Sequence, residues 1–168
     1  MSRAFVKEPD GDSPGDDTPE RPISRQPNYI TPQGLARLRT RQAEFKAEHE
    51  RLTRAPETPG LKLERDHLAR ELRYLEGRIE RAVAIDPAGQ PQDEVAFGAE
   101  VEVREEGGAR RRVRIVGEDE AEAEAGRVSV LSPLARALIG ARVGDVILWQ
   151  RPAGDRELEV LGIRYPRG

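Results

Sequence analysis

His49 and His67 are the only histidines of the chain, and neither has a second histidine four residues away, so the helical spacing that holds a metal on one face is missing. His49 falls within a regular apolar pattern and reads as a packing or buffering group, and His67 as an exposed one. Without cysteine there is no thiolate to ligate zinc, close a disulfide or attack a carbonyl. Ser132 directly before Pro133 reads as a helix cap rather than as a nucleophile. Gly140-Ala141-Arg142-Val143-Gly144-Asp145 lacks the Gly-Lys-Ser/Thr ending of a phosphate loop and reads as a turn. The carboxylates of Glu118-Asp119-Glu120-Ala121-Glu122-Ala123-Glu124 suit a hard cation in type, but their spacing matches no calcium loop, and a solvated loop is expected. Arg110-Arg111-Arg112 beside Glu105 and Glu106 fits cross-strand charge pairing better than contact with RNA or DNA. No catalytic constellation results, so the chain is expected to bind rather than to catalyse, with no metal or cofactor of its own.

The elements that must carry these residues have little interior to share. Hydrophobic residues make up 36% of the 168 and charged ones 35%, with one Trp, three Tyr and three Phe, which excludes a large enzyme core and fits two small modules. No apolar run reaches the length of a membrane span, and the acidic N-terminus lacks the order of a signal peptide, so a soluble cytoplasmic protein with no membrane contact is expected. Residues 32–84 carry 12 basic and 9 acidic side chains and residues 85–168 carry 12 and 16, so neither block is basic enough to grip duplex phosphates, and no sequence-specific DNA binding is expected.

Residues 1–28, rich in Pro, Gly, Asp and Ser, read as a disordered tail in which Ala4-Phe5-Val6 is the one short apolar exception. Thr31 and Pro32 then supply a cap and a first helical residue. Leu35, Leu38, Gln42, Phe45, His49 and Leu52 follow at alternating steps of three and four, the seam of a coiled coil. Arg54 to Gly60 breaks this helix with two prolines and a glycine. A second seam runs through Leu61, Arg65, Leu68, Leu72, Leu75, Ile79 and Ala82 and ends near Asp86-Pro87-Ala88-Gly89. The short connection predicts an antiparallel hairpin over 29–86, with a close contact or a weak point at Gly77. After a linker over 87–93 the period becomes two at Val95, Phe97, Ala99, Val101 and Val103, opening a β domain over 94–168. Its further strands are expected at 112–116, 127–131, 146–150 and 157–165, with a short helix at 133–139. The fold class is thus α+β, an N-terminal antiparallel helical hairpin followed by an antiparallel β domain with one short helix.

Phe97-Gly98-Ala99, Arg114-Ile115-Val116-Gly117, Ser132-Pro133-Leu134-Ala135-Arg136-Ala137-Leu138, Val143-Gly144-Asp145 and Ile163-Arg164-Tyr165 stand in the order in which similar motifs occur in the GreA/GreB transcription elongation factors. The resemblance covers roughly residues 28–168, since a helical hairpin also precedes this block in that family. It implies an FKBP-like C-terminal domain that docks on RNA polymerase beside its secondary channel while the hairpin reaches inward. The implied docking residues are Ser132, Pro133, Leu134, Ala135, Arg136 and Leu138, with Leu134 or Arg136 left outside as the contact. Cleavage-competent members of the family resemble Gly-Asp-x-x-Glu-Asn-Ala-x-Tyr at the hairpin end, where carboxylates help to hold a magnesium ion of the polymerase active site. This chain has no such motif. Its tip offers Glu57, with Glu64 and Asp66 one to two turns into the second helix. The hairpin is also shorter, as in the related nucleoside diphosphate kinase regulator type. The expected function is a polymerase-binding regulator without strong cleavage stimulation, and the alternative a transcript-cleavage factor acting on backtracked complexes. A prolyl isomerase is a third reading, opposed by a β domain whose only aromatics are Phe97, Trp149 and Tyr165.

Overall fold

The structure, a computed structural model, describes residues 18–167. Ala4-Phe5-Val6 lies outside the described residues. Strand β1 (Asn28–Ile30) leads into helix α1 (Pro32–Arg54), which returns through α2 (Pro59–Glu80) to strand β2 (Ala82–Ala84). Both helices open with the same dipeptide. The Thr31 hydroxyl accepts from Gly34 N at 3.0 Å and the Thr58 hydroxyl from Leu61 N at 3.3 Å, and a proline follows each at the first helical position. The connection is therefore only Ala55 to Thr58, shorter than the break at 54–60 read from the sequence, because Pro59 starts a helix as readily as it ends one. At 1.5 Å per residue, α1 is about 35 Å long. Every seam residue is at least half-buried, with Leu38, Leu52, Leu68 and Leu75 fully so.

At the base of the hairpin β1 and β2 pair in parallel, Asn28 with Ala82 and Ile30 with Ala84, and Ile30 is fully buried against Leu38 and Leu75. Residues 18–27 are not the free tail that composition suggested. They run along α2, with Glu20 accepting from Arg73 Nε at 3.1 Å, Arg21 paired with Glu71 at 3.2 Å and stacked 3.8 Å over the Tyr74 ring, and the Ser24 carbonyl accepting from Arg81 at 3.1 Å. Low apolar content describes a segment that lacks a core of its own, and this one borrows the flank of a helix.

Five strands form the second sheet: β3 (Glu100–Glu105), β4 (Arg110–Val116), β5 (Arg127–Ser129), β6 (Val146–Trp149) and β7 (Arg156–Arg164), in the order β5-β4-β3-β7-β6. The domain is not wholly antiparallel, because β5 pairs in parallel with β4, Arg114 opposite Arg127. The chain crosses back between them through residues 118–125, which form two short 3₁₀ turns. The alternating run from Val95 becomes a strand only at Glu100. Gly98 takes φ +87° and Ala99 N bonds back to the Ala96 carbonyl, so the first half of the run is a buried turn. Helix α3 (Pro133–Leu138) packs against β6 and closes a core of Val95, Val101, Val103, Ile115, Leu138, Leu158 and Val160. The linker is docked as well, with Pro87 buried where a Cβ on Gly98 would strike it.

Candidate functional site

Three places bear on function: the outer face around α3, the tip of the hairpin, and the joint between the two parts. At α3 the Ser132 hydroxyl accepts from Ala135 N at 3.2 Å and Pro133 takes the first helical position. This orientation turns Leu134, Ala135 and Leu138 into the core, at 6%, 0% and 0% exposure, and leaves Pro133 and Arg136 outside. Of the two contacts expected from the sequence, Arg136 is available and Leu134 is not. Just beyond the helix Ile139 (43% exposed) and Val143 (59%) face outward, and on β6 Val146 (61%) and Leu148 (50%) are exposed as well. On the edge strand β6 the alternation turns Ile147 and Trp149 toward the core that α3 covers and Val146 and Leu148 to the opposite face of the sheet, where Val146 lies with Arg104, Glu157 and Glu159.

At the tip, Glu57 is exposed but paired with Arg65 at 3.4 Å. Glu64 is exposed and Asp66 half-buried on α2. These carboxylates form no group that could hold a metal, and none of three or more His, Asp or Glu exists among the described residues. The structure therefore does not bring the three together.

The joint is the part that sequence reading missed. Arg78 of α2 is 3% exposed and donates to Asp119 at 3.0 Å, to Glu118 at 3.2 Å and to the Asn28 side chain at 2.7 Å. Asn28 in turn donates to the Arg78 carbonyl at 3.0 Å and to Asp119 at 3.2 Å. Glu120 accepts from Thr31 N at 3.0 Å, from the Thr31 hydroxyl and from Gly117 N at 3.2 Å. Burial pulls the Arg78 pKa down, but the hydrogen bond and charge of Asp119, aided by Tyr74 and Glu118, hold it above the ordinary arginine value. Glycines make the approach possible: a Cβ on Gly34 would overlap the Glu120 carboxyl, and one on Gly117 the Tyr29 carbonyl oxygen. The first half of the acidic run is thus a clasp on the hairpin base, not a solvated loop. A charge pattern alone shows no partner 41 residues away; the single hint was an arginine on the second helix just off the seam.

The family model of the C-terminal part of the transcription elongation factors GreA and GreB matches residues 90–165. The transcription elongation factor GreA of Alkalilimnicola ehrlichii is 45% identical over 109 residues, covering 59% of this chain and 69% of that protein. The chain belongs to the GreA/GreB family. GreB of Neisseria meningitidis serogroup B is 41% identical over 97 residues, covering 57% of this chain and 60% of that protein. Among solved structures, the GreA factor homolog 1 (Gfh1) of Thermus thermophilus is 24% identical with a TM-score of 0.40, covering 83% of this chain and 99% of that one. A GreA/GreB factor of Nitrosomonas europaea is 22% identical with a TM-score of 0.41, covering 82% and 98%.

Within this GreA/GreB-family chain the remaining candidates have structural duties. Arg110 and Arg112 face Glu102 at 3.6 and 3.9 Å, and Arg111 faces Glu105 at 3.3 Å, the cross-strand pairing expected from their alternation. The aromatics of the C-terminal domain are engaged separately. Phe97 is buried with its ring 6.4 Å from that of Tyr29, Trp149 lies beneath Arg151 and Arg111, and the Tyr165 hydroxyl bridges backbone groups of Glu94 and Ala96. His49 is half-buried in the hairpin seam and His67 is exposed. No helix among the described residues is long and apolar enough to cross a membrane.

Proposed function

We propose that this chain binds RNA polymerase through the outer face of its C-terminal domain, lays its hairpin into the secondary channel, and regulates transcription without stimulating transcript cleavage. The observation that carries the docking part is the exposure of Pro133, Arg136, Ile139 and Val143, on and just after α3, in the domain that the family model matches. Solvent-facing apolar side chains that follow an exposed arginine in the chain have the composition of an interface. Ser132, Leu134, Ala135 and Leu138 support that surface from beneath.

The tip supports the second half of the reading. A magnesium ion at a phosphoryl-transfer centre is taken by one or two carboxylates free to coordinate it. Here Glu57 is engaged by Arg65, and Glu64 and Asp66 stand back along α2, so the residues of the tip do not fit such an ion. The chain contributes no metal and acts on the polymerase as a ligand, not as an enzyme.

Binding of the full chain to purified core RNA polymerase, followed by sedimentation, tests the docking; failure to co-sediment at micromolar concentrations removes it. Addition to a backtracked elongation complex separates the two readings of function. The expected outcome is RNA cleavage no faster than with polymerase alone. Faster cleavage that Glu57→Ala abolishes would establish the cleavage-factor alternative instead.

A further inference from the structure

Most arginines of the C-terminal domain face a carboxylate. Among the described residues the exceptions are Arg114, Arg136, Arg151 and Arg167. Arg136 is exposed and Arg151 stacks 5.0 Å over the Trp149 ring, but Arg114 and Arg167 line one cavity of about 490 Å³ between the start of α1, the linker and β4. Arg114 is half-buried, its Nη2 reaches only the Pro166 carbonyl at 3.3 Å, and its Nε is enclosed without a hydrogen-bond partner in the protein. The acids nearby are engaged. Glu100, opposite Arg114 in the sheet, accepts from Arg164 at 2.7 Å, and Glu120 is held by Thr31 and Gly117. Asp86, the one carboxylate that lines the cavity, accepts from Ala88 N at 2.9 Å. A half-buried guanidinium without a paired anion costs free energy, and a water on its Nε supplies a hydrogen bond but no negative charge.

We propose that this cavity binds a small phosphorylated molecule of nucleotide size, its phosphate taken by Arg114 and Arg167 and its carbon portion lying on Pro32, Pro87 and Ala88. A guanidinium donates to phosphate oxygens through parallel N–H groups, which gives Arg114 the anion that the fold withholds. The volume falls within the range of small-molecule sites, roughly 300–1,000 Å³, and exceeds what a bare phosphate fills. Pro32 belongs to the hairpin and Arg114 to the C-terminal domain, so the ligand bridges the two parts and stabilises their joint. No residue of α3 lines the cavity, and the proposal stands or falls on the chain without polymerase.

The test is calorimetric titration of the full chain with ADP and, in a second arm, with pyrophosphate, together with thermal melts. ADP is expected to bind and to raise the melting temperature, and pyrophosphate, which lacks the carbon portion, to bind more weakly. Arg114→Gln and Arg167→Gln are each expected to weaken ADP binding about tenfold, the size of one charge-assisted hydrogen bond. Arg167 is exposed, so its variant keeps the fold whatever Arg114→Gln does to stability. Asp86→Asn keeps the cap on the linker turn, removes the one negative charge and is expected to tighten binding. Arg151→Gln, at an unpaired arginine outside the cavity, is expected to change nothing. Absence of binding by both probes at millimolar concentration would overturn the proposal. So would wild-type affinity in both cavity variants, an equal loss in Arg151→Gln, which marks diffuse charge attraction, or pyrophosphate binding as tightly as ADP, which leaves no contact for the carbon portion.

Discussion

Arg78 of the hairpin and Asp119 of the C-terminal domain meet at 3.0 Å with their side chains 4% and 12% exposed, the most buried ion pair that joins the two parts. Removing one member of a buried pair leaves the other charge unmatched, which costs more than the pair itself contributes. Arg78→Ala is expected to lower stability by about 3–5 kcal/mol in urea unfolding. Arg78→Met with Asp119→Leu, which removes both charges, is expected to recover most of that loss. A double substitution as damaging as the single one would show that the clasp works through Asn28 and Glu118 rather than through the pair.

Gly77 was legible in the sequence as a close contact or a weak point, and it is a close contact: a Cβ there would overlap Ile23 Cδ1. Alanine raises helix stability over glycine by about 1 kcal/mol, and the end of the Ile23 side chain can move aside. Gly77→Ala is therefore expected to be nearly neutral in the wild-type chain. In an Ile23→Ala background the same substitution is expected to stabilise by about 1 kcal/mol. A thermal-melt double-mutant cycle with no coupling between positions 23 and 77 would remove the packed N-terminal segment.

The Tyr165 hydroxyl donates to the Glu94 carbonyl at 2.5 Å and accepts from Ala96 N at 2.8 Å. Burial raises its pKa above the ordinary tyrosine value; the Ala96 hydrogen bond opposes the shift, and the nearby Glu94 and Asp93 charges add to it. A raised folded-state pKa means that the stabilisation is complete below the unfolded value near 10 and is lost as pH rises through the folded value. Melting temperature is expected to fall above pH ~10 in wild type and to fall less in Tyr165→Phe. At neutral pH the phenylalanine variant is expected to lose about 1–2 kcal/mol for its two hydrogen bonds. Ultraviolet titration of tyrosinate and melts across that range check both.

The two sides of α3 are expected to fail differently. Arg136→Glu and Ile139→Asp change exposed positions and should keep the melting temperature while weakening polymerase binding by about tenfold or more. Leu134→Asp places a carboxylate in the core and should unfold the domain. Circular dichroism and binding on the same samples separate the outcomes; full binding by Arg136→Glu and Ile139→Asp would exclude this face as the docking surface.

Glu105 shows how the sheet manages its charges. Burial pushes its pKa up, but the Arg156 and Arg111 guanidiniums outweigh this and hold it below the ordinary value. The stability it contributes is present above the unfolded glutamate pKa and lost as pH falls through the lowered folded one. Glu105→Gln is expected to flatten the acid limb of the stability curve followed by fluorescence of Trp149, which lies beside Arg111.

Local rules determined much of this protein from the sequence alone. The spacing of Leu38, Leu52, Leu68 and Leu75 specifies a hairpin, because a helix with one apolar stripe has nowhere to bury it but against a partner. Thr-Pro and Ser-Pro specify where helices begin, since cap and proline act within four residues. The ordered motifs of the C-terminal block were enough to place the family. What the tertiary structure decided were relations between distant residues. That Arg78 is buried follows from where the loop at 118–120 lands, that Leu134 faces inward and Arg136 outward follows from how α3 meets β6, and that residues 18–27 are ordered follows from the flank α2 offers them. Composition and periodicity record what each residue prefers nearby. They hold no record of which charge, 40 or 50 positions along the chain, will be there to meet it.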